Sequence, residues 1–180
     1  FSPEHSPYEL HQSNFIQKFY GRSFWSDKGG ARITKSEIND YIEWANEKIY
    51  ITCPDKSQSP SWDFIFETFR DQMYAYGINI FVIDAFNKVL FNDKGSKLDI
   101  TNEVLTRLTS FAQKYNVGIF LVAHPTKMKK NEVGKYEKPS LYDVSGSADF
   151  RNQTHDGFCI YRDDDWTSFV NLKTKYSFQG

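Results

Sequence analysis

Four points along the chain place residues capable of phosphate and proton chemistry at the ends of apolar runs: Glu4, Asp84, His124 and the pair Lys173/Lys175. The clearest is Asp84. It closes the run I-N-I-F-V-I at residues 78–83, in which five of six residues are apolar and mostly β-branched or aromatic, with no alternation. Such a run reads as a strand of a parallel sheet covered on both faces. In open α/β sheets the ligand crevice lies outside the carboxyl ends of the strands, so Asp84 stands where chemistry would be done. A carboxylate there can hold a magnesium ion through water. Aspartate also caps helices and starts turns, and on these residues alone both readings stay open. His124 follows a second continuously apolar run, V-G-I-F-L-V-A at residues 117–123. A lone histidine is more often a satisfied polar group than a functional one, and lysines such as Lys173 and Lys175 also serve to keep an edge strand from pairing.

The elements that must position these residues can be read in order. Residues 1–4 read as the tail of a strand that delivers Glu4 to the sheet's carboxyl edge. Ser6 and Pro7 open a helix to about Tyr20, stopped by Gly21. Thr34-Lys35-Ser36-Glu37 is a capping box, with a helix behind it to about Lys48. Tyr50-Ile51-Thr52 suggests a short strand, and Ser59-Pro60 the start of a helix ending at Gly77. After a loop over residues 91–97, a helix from about Ile100 to Tyr115 carries Val104, Leu105, Leu108, Phe111 and Ala112 on one face. Residues 145–152 suit a short helix. Residues 157–162 and 168–173 suit two closing strands, joined by Asp163-Asp164-Asp165 as an antiparallel hairpin. Strands alternating with helices predict an α/β fold: a mostly parallel twisted sheet flanked by helices, with an antiparallel edge hairpin. No internal repeat, low-complexity tract or linker interrupts residues 1–180, and the length suits a single domain.

The formal net charge of −1 predicts neither nucleic-acid nor acidic partners for the chain as a whole, so any basic site must be local. One such stretch is residues 126–140, where Lys127, Lys129, Lys130, Lys135 and Lys138 face only Glu132 and Glu137, a local excess of +3. With Asn131 and Gly134 it reads as a mobile, solvated loop. Cys53 and Cys159 lack ligand spacing and read as buried free thiols in a reducing compartment such as the cytoplasm. No stretch approaches the ~20 apolar residues of a membrane-spanning helix. The chain starts at Phe1 without a methionine and runs directly into a turn, which suggests a fragment whose upstream part is missing.

Five segments, in order, resemble a known family. They are F-S-P-E-H at Phe1, F-V-I-D-A-F-N at Phe81, V-A-H-P-T-K at Val122, L-Y-D-V-S-G-S-A-D-F at Leu141 and L-K-T-K-Y-S-F-Q-G at Leu172. Together they are similar to the RecA-like motor domain of replicative hexameric helicases, of the DnaB type and the Twinkle-like primase-helicases. The resemblance implies an NTP-driven DNA helicase using ATP or another NTP with Mg2+, acting on single-stranded DNA and self-associating into a ring, typically a hexamer. It implies that Glu4 is the catalytic glutamate polarising the water that attacks the γ-phosphate. Asp84 would be the Walker B aspartate holding magnesium through water, and His124 the γ-phosphate sensor that relays nucleotide state to the DNA-binding loops. Lys173 and Lys175 would reach the neighbouring subunit's nucleotide. The second of that pair is usually an arginine finger, and lysine supplies the charge without the bidentate fork. The basic loop with Lys127, Lys129, Lys130 and Lys135, the Ser145-Gly146-Ser147 turn and Arg151 match one channel loop of the family. Residues 92–97, with Lys94 and Lys97, match the other. Lysines and backbone amides there would grip phosphates without reading sequence.

Two departures qualify the match. Ala85 stands where close relatives often have proline, and no G-x-x-x-x-G-K-[ST] occurs anywhere in the chain. In the family that loop lies just upstream of the Glu4 strand, so this piece alone is expected not to turn over nucleotide. Two other readings remain open on the sequence: a strand-exchange or clock-type RecA-fold ATPase, and a nucleic-acid-binding or assembly module with a decayed nucleotide site.

Overall fold

The computed structural model describes residues 1–3, 8–24, 32–54, 60–89, 97–132, 134–144, 147–162 and 166–176. They fall into two compact units, Phe1–Ser59 and Pro60–Gly180.

The first unit is a pair of helices, α1 (Tyr8–Tyr20) and α2 (Lys35–Asn46). Ile16 of α1 packs with Ile33, Tyr41 and Ala45, and Phe15, Tyr20, Phe24, Ile38 and Ile49 close the cluster. The expected capping box starts α2: the Thr34 hydroxyl accepts the Glu37 N–H, and the Glu37 carboxylate accepts the Thr34 N–H at 2.8 Å. Glu37 also pairs with the Arg22 guanidinium, and its carbonyl accepts the Tyr20 hydroxyl at 2.8 Å. One residue therefore fastens the exit of α1 to the start of α2. The Thr34 backbone N–H and then its hydroxyl, with Arg22 assisting, hold the Glu37 carboxyl below the usual carboxylate range. The strand expected at residues 50–52 does not form. Thr52 accepts one backbone bond, from Ser2 N–H at 3.1 Å, and a single bond makes no ladder. Cys53, in that irregular segment, is exposed rather than buried; Cys159 is half-buried, and both thiols are free.

The second unit begins with α3 (Trp62–Tyr76). Its N-cap is Ser61, whose hydroxyl accepts the Phe64 N–H, and not Ser59 as the Ser-Pro pair suggested. The cap must adjoin the first helical residue, and Ser61 has the extended backbone that a cap requires. Strand β1 (Ile80–Asp84) pairs in parallel with β2 (Gly118–Val122), in register from Ile80↔Gly118 to Asp84↔Val122. The crossover contains a 3-10 turn (Phe86–Lys88) and the long helix α4 (Lys97–Tyr115).

Phe81 and Ile83 point from β1 into the core formed by Ile65 and Phe69 of α3 and Val104, Leu105 and Leu108 of α4. Phe69 stacks on Phe81 at 4.2 Å, and Phe111 meets both rings edge-on. Burial of each such side chain stabilises the unit by roughly 1.5–3 kcal/mol. The expectation that both sheet faces are covered is not met, because burial along β1 alternates. Ile80 is 60% exposed and Phe120 56% exposed, and both sit on the opposite face. Continuous apolarity states what a strand can bury; here the described residues pack on one face.

Helix α5 (Ser147–Gln153) is fixed to α4 by Asn102 Nδ2 donating to Asp149 and Gln153 Nε2 donating to Asn102 Oδ1 at 2.8 Å. Strands β3 (Gly157–Arg162) and β4 (Thr167–Lys173) form the expected antiparallel pair, as a ladder of their own among the described residues.

Candidate functional site

The carboxyl ends of β1 and β2 lie side by side, with Asp84 opposite Val122. Asp84 is half-buried, and beneath it Ala85 and Phe86 are fully buried. The Phe86 ring lies between Trp62 at 5.5 Å and Phe150 at 5.1 Å, so the edge rests on the aromatic core. The Asp84–Ala85 peptide is cis. Two residues past the end of β2, the His124 N–H donates to Asn87 Oδ1 at 2.8 Å. Asn87 belongs to the 3-10 turn that follows Asp84. One side-chain amide thus ties the turn after the first strand to the exit of the second, and it brings Asp84 and His124 to one edge. Asn87 was not among the candidate site residues. Its position three residues after Asp84 is visible in the sequence, but the reach of its side chain to another strand is not.

Glu4, Lys94, Ser145 and Gly146 lie outside the described residues, as do the side chains of Lys97 and Ser147, the first residues of α4 and α5. Lys173 and Lys175 line a cleft of about 240 Å³ with Thr109, Gln153 and His155. The Lys173 ammonium donates to the carbonyls of Arg151 at 2.5 Å and Thr154 at 2.6 Å, and so caps the C-terminus of α5. Lys175 is exposed beside the Tyr176 ring.

Immediately after His124 the chain enters the basic stretch, which is organised rather than open. At its neck Pro125 bridges Val144, and the Thr126 N–H and hydroxyl donate to the Asp143 carbonyl at 2.7 and 2.9 Å. The Ser140 N–H and hydroxyl both donate to Asp143 Oδ2 at 2.7 Å, holding that carboxyl below its ordinary range, the backbone bond most strongly. At the tip Lys130 bridges Tyr136, Asn131 N–H donates to the Lys135 carbonyl and Glu137 N–H to that of Lys129. Gly134, at φ +80°, supplies the left-handed turn residue that other side chains disfavour. The expected solvated loop is therefore a small hairpin. Its turn signal, Asn131 followed by Gly134, is hidden by the lysines around it. Lys127, Lys129, Lys130 and Lys135 all lie on it, Lys127, Lys129 and Lys130 with Lys135 reaching water along its length. Arg151 lies with its guanidinium over the Tyr142 ring at 5.2 Å.

No protein-family profile matches the chain. The Twinkle homolog protein, chloroplastic/mitochondrial, of Arabidopsis thaliana is 26% identical over 160 residues, which cover 86% of this chain and 22% of that protein. Among solved structures, the ATPase domain of a DnaB-like helicase superposes with a TM-score of 0.70 at 17% identity, covering 97% of this chain and 65% of that one. The chain spans about a fifth of the curated relative's length. These likenesses give it a RecA-like α/β fold of the DnaB and Twinkle kind.

Proposed function

We propose that this DnaB/Twinkle-like RecA-fold chain is part of the motor of an ATP-dependent replicative DNA helicase, which couples NTP hydrolysis to translocation on single-stranded DNA. The observation that carries the reading is the junction at His124. The candidate nucleotide sensor is tied through Asn87 to the turn after Asp84, and the next residue opens the neck of the lysine hairpin. A change at the nucleotide edge has a short covalent route to a nucleic-acid grip.

The residues present fit magnesium and ATP. Asp84 offers one hard oxygen donor at a strand's carboxyl end, and Mg2+ is usually held by one or two carboxylates with water and phosphate oxygens. The bound ion would neutralise charge on the phosphates. Asp84 holds it through water, Glu4 orients and polarises the attacking water, and His124 reads the γ-phosphate. Lys173 already serves α5, which favours Lys175 as the cation reaching a neighbouring subunit in a ring, a hexamer by analogy. In this reading residues 1–180 belong to one RecA-like domain, and the phosphate cradle is supplied by another part of the gene product. The isolated chain is then inactive.

A non-catalytic nucleic-acid-binding module is the second reading, favoured by the absence of a P-loop sequence and by the structural engagement of Lys173. Single-strand-stimulated ATP hydrolysis by the complete gene product, beside Glu4→Gln, separates the two. A loss of ~100-fold or more in the variant supports the motor, since a positioned acid–base group contributes ~10²–10⁴-fold. A DNA-binding but non-hydrolysing wild type supports the module.

A further inference from the structure

The lysine hairpin carries more than charge. Tyr136, paired across the tip with Lys130, is 53% exposed, and the Lys130 ammonium sits 5.1 Å from its ring centroid. The Tyr161 hydroxyl of β3 donates to the Tyr136 carbonyl at 2.7 Å, which docks the hairpin against the closing strands. At their base Gly157 admits Leu141 so closely that a Cβ there would stand 2.7 Å from the leucine Cδ1. Lys138, two residues after Tyr136 and so on the same hairpin face, places its ammonium 5.7 Å from the Tyr161 ring and 5.9 Å from the Trp166 ring. Trp166 is itself 61% exposed. Lysines and rings therefore form an unbroken series: Lys130, Tyr136, Tyr161, Lys138, Trp166.

We propose that Tyr136 and Trp166 are stacking surfaces for the bases of single-stranded nucleic acid, with Lys130 and Lys138 contacting the phosphates between them. The proposal rests on the nucleic-acid part of the reading above and adds that the grip extends beyond the backbone. Large flat rings left in water beside cations match what a single strand presents, an unpaired π-face alternating with an anionic phosphate. A duplex hides those faces, so the platform discriminates by strandedness. Every base has a π-face, so it does not discriminate by sequence.

The test uses the complete gene product at fixed salt and three probes: oligo-dT, an abasic strand of equal length, and polyglutamate. Tighter binding of oligo-dT than of the abasic strand is expected. Tyr136→Leu and Trp166→Leu should each weaken oligo-dT by about tenfold, within the range of one base–aromatic stack, and leave the abasic strand unaffected. Tyr136→Phe and Trp166→Phe should retain wild-type affinity, which separates a lost ring from a misfolded hairpin. Equal affinity for both strands would overturn stacking while leaving a backbone grip intact. Binding of polyglutamate with neither strand bound would overturn both readings and make the surface an acidic-peptide site. No binding of any probe would overturn both as well.

Discussion

The carboxyl edge of β1–β2 and the lysine hairpin that follows it are neighbours in sequence and are held in opposite ways. The edge stands on the core: Asp84 ends a strand whose alternate residues are buried, and the turn behind it seats Phe86 between two other rings. The hairpin has almost no apolar support of its own. It is kept by backbone bonds at neck and tip, by Asp143 and by the Tyr161 hydroxyl. A site that must hold a metal and a water at fixed distances needs the first kind of support. A surface that follows a polyanion needs exposed cations more than rigidity.

Perturbing the edge's foundation should therefore cost far more than perturbing the hairpin. Phe86→Ala should destabilise the second unit by about 3–5 kcal/mol, the usual cost of removing a buried ring, as read by chemical denaturation. Lys129→Glu with Lys130→Glu should leave stability within about 0.5 kcal/mol. The pair should weaken single-strand binding and lower its log–log salt slope by about 1.4, because each phosphate no longer neutralised takes ~0.7 from the slope. An unchanged slope would remove the hairpin from the interface. Asn87→Ala deletes the bond that joins the two regions, and should cost about 1 kcal/mol in stability while loosening His124, detectable as faster exchange of its amide.

The smallest effect is in acid. The native carboxyl of Asp143 titrates below its unfolded counterpart, so its contribution is complete above the ordinary aspartate range and is lost as pH falls through the lowered native value. The Ser140 amide resonance should therefore move with a midpoint below that of an ordinary aspartate. A midpoint at the ordinary value would mean that the neck bonds do not persist in solution.

The sequence makes the edge legible because strand apolarity and a terminal carboxylate are local signals. Asp84 and His124 do emerge at adjacent strand ends, and the Thr34–Glu37 capping box is also where local spacing placed it. What stayed hidden is non-local. Asn87 reaches a different strand, Lys173 spends its charge on α5 carbonyls, and Ile80 and Phe120 face outward although the runs they belong to are apolar throughout. The hairpin was missed for another reason: its turn residues are outnumbered by lysines, and charge density read as solvation.

The division of labour can be measured directly by following ATP turnover and single-strand affinity together in the complete gene product carrying Asp84→Asn. Turnover should fall by ~10²–10³-fold, the equivalent of the several kcal/mol a catalytic metal supplies, while strand affinity stays at the wild-type value. Wild-type turnover in that variant would contradict this assignment, and would remove the carboxyl edge from the chemistry.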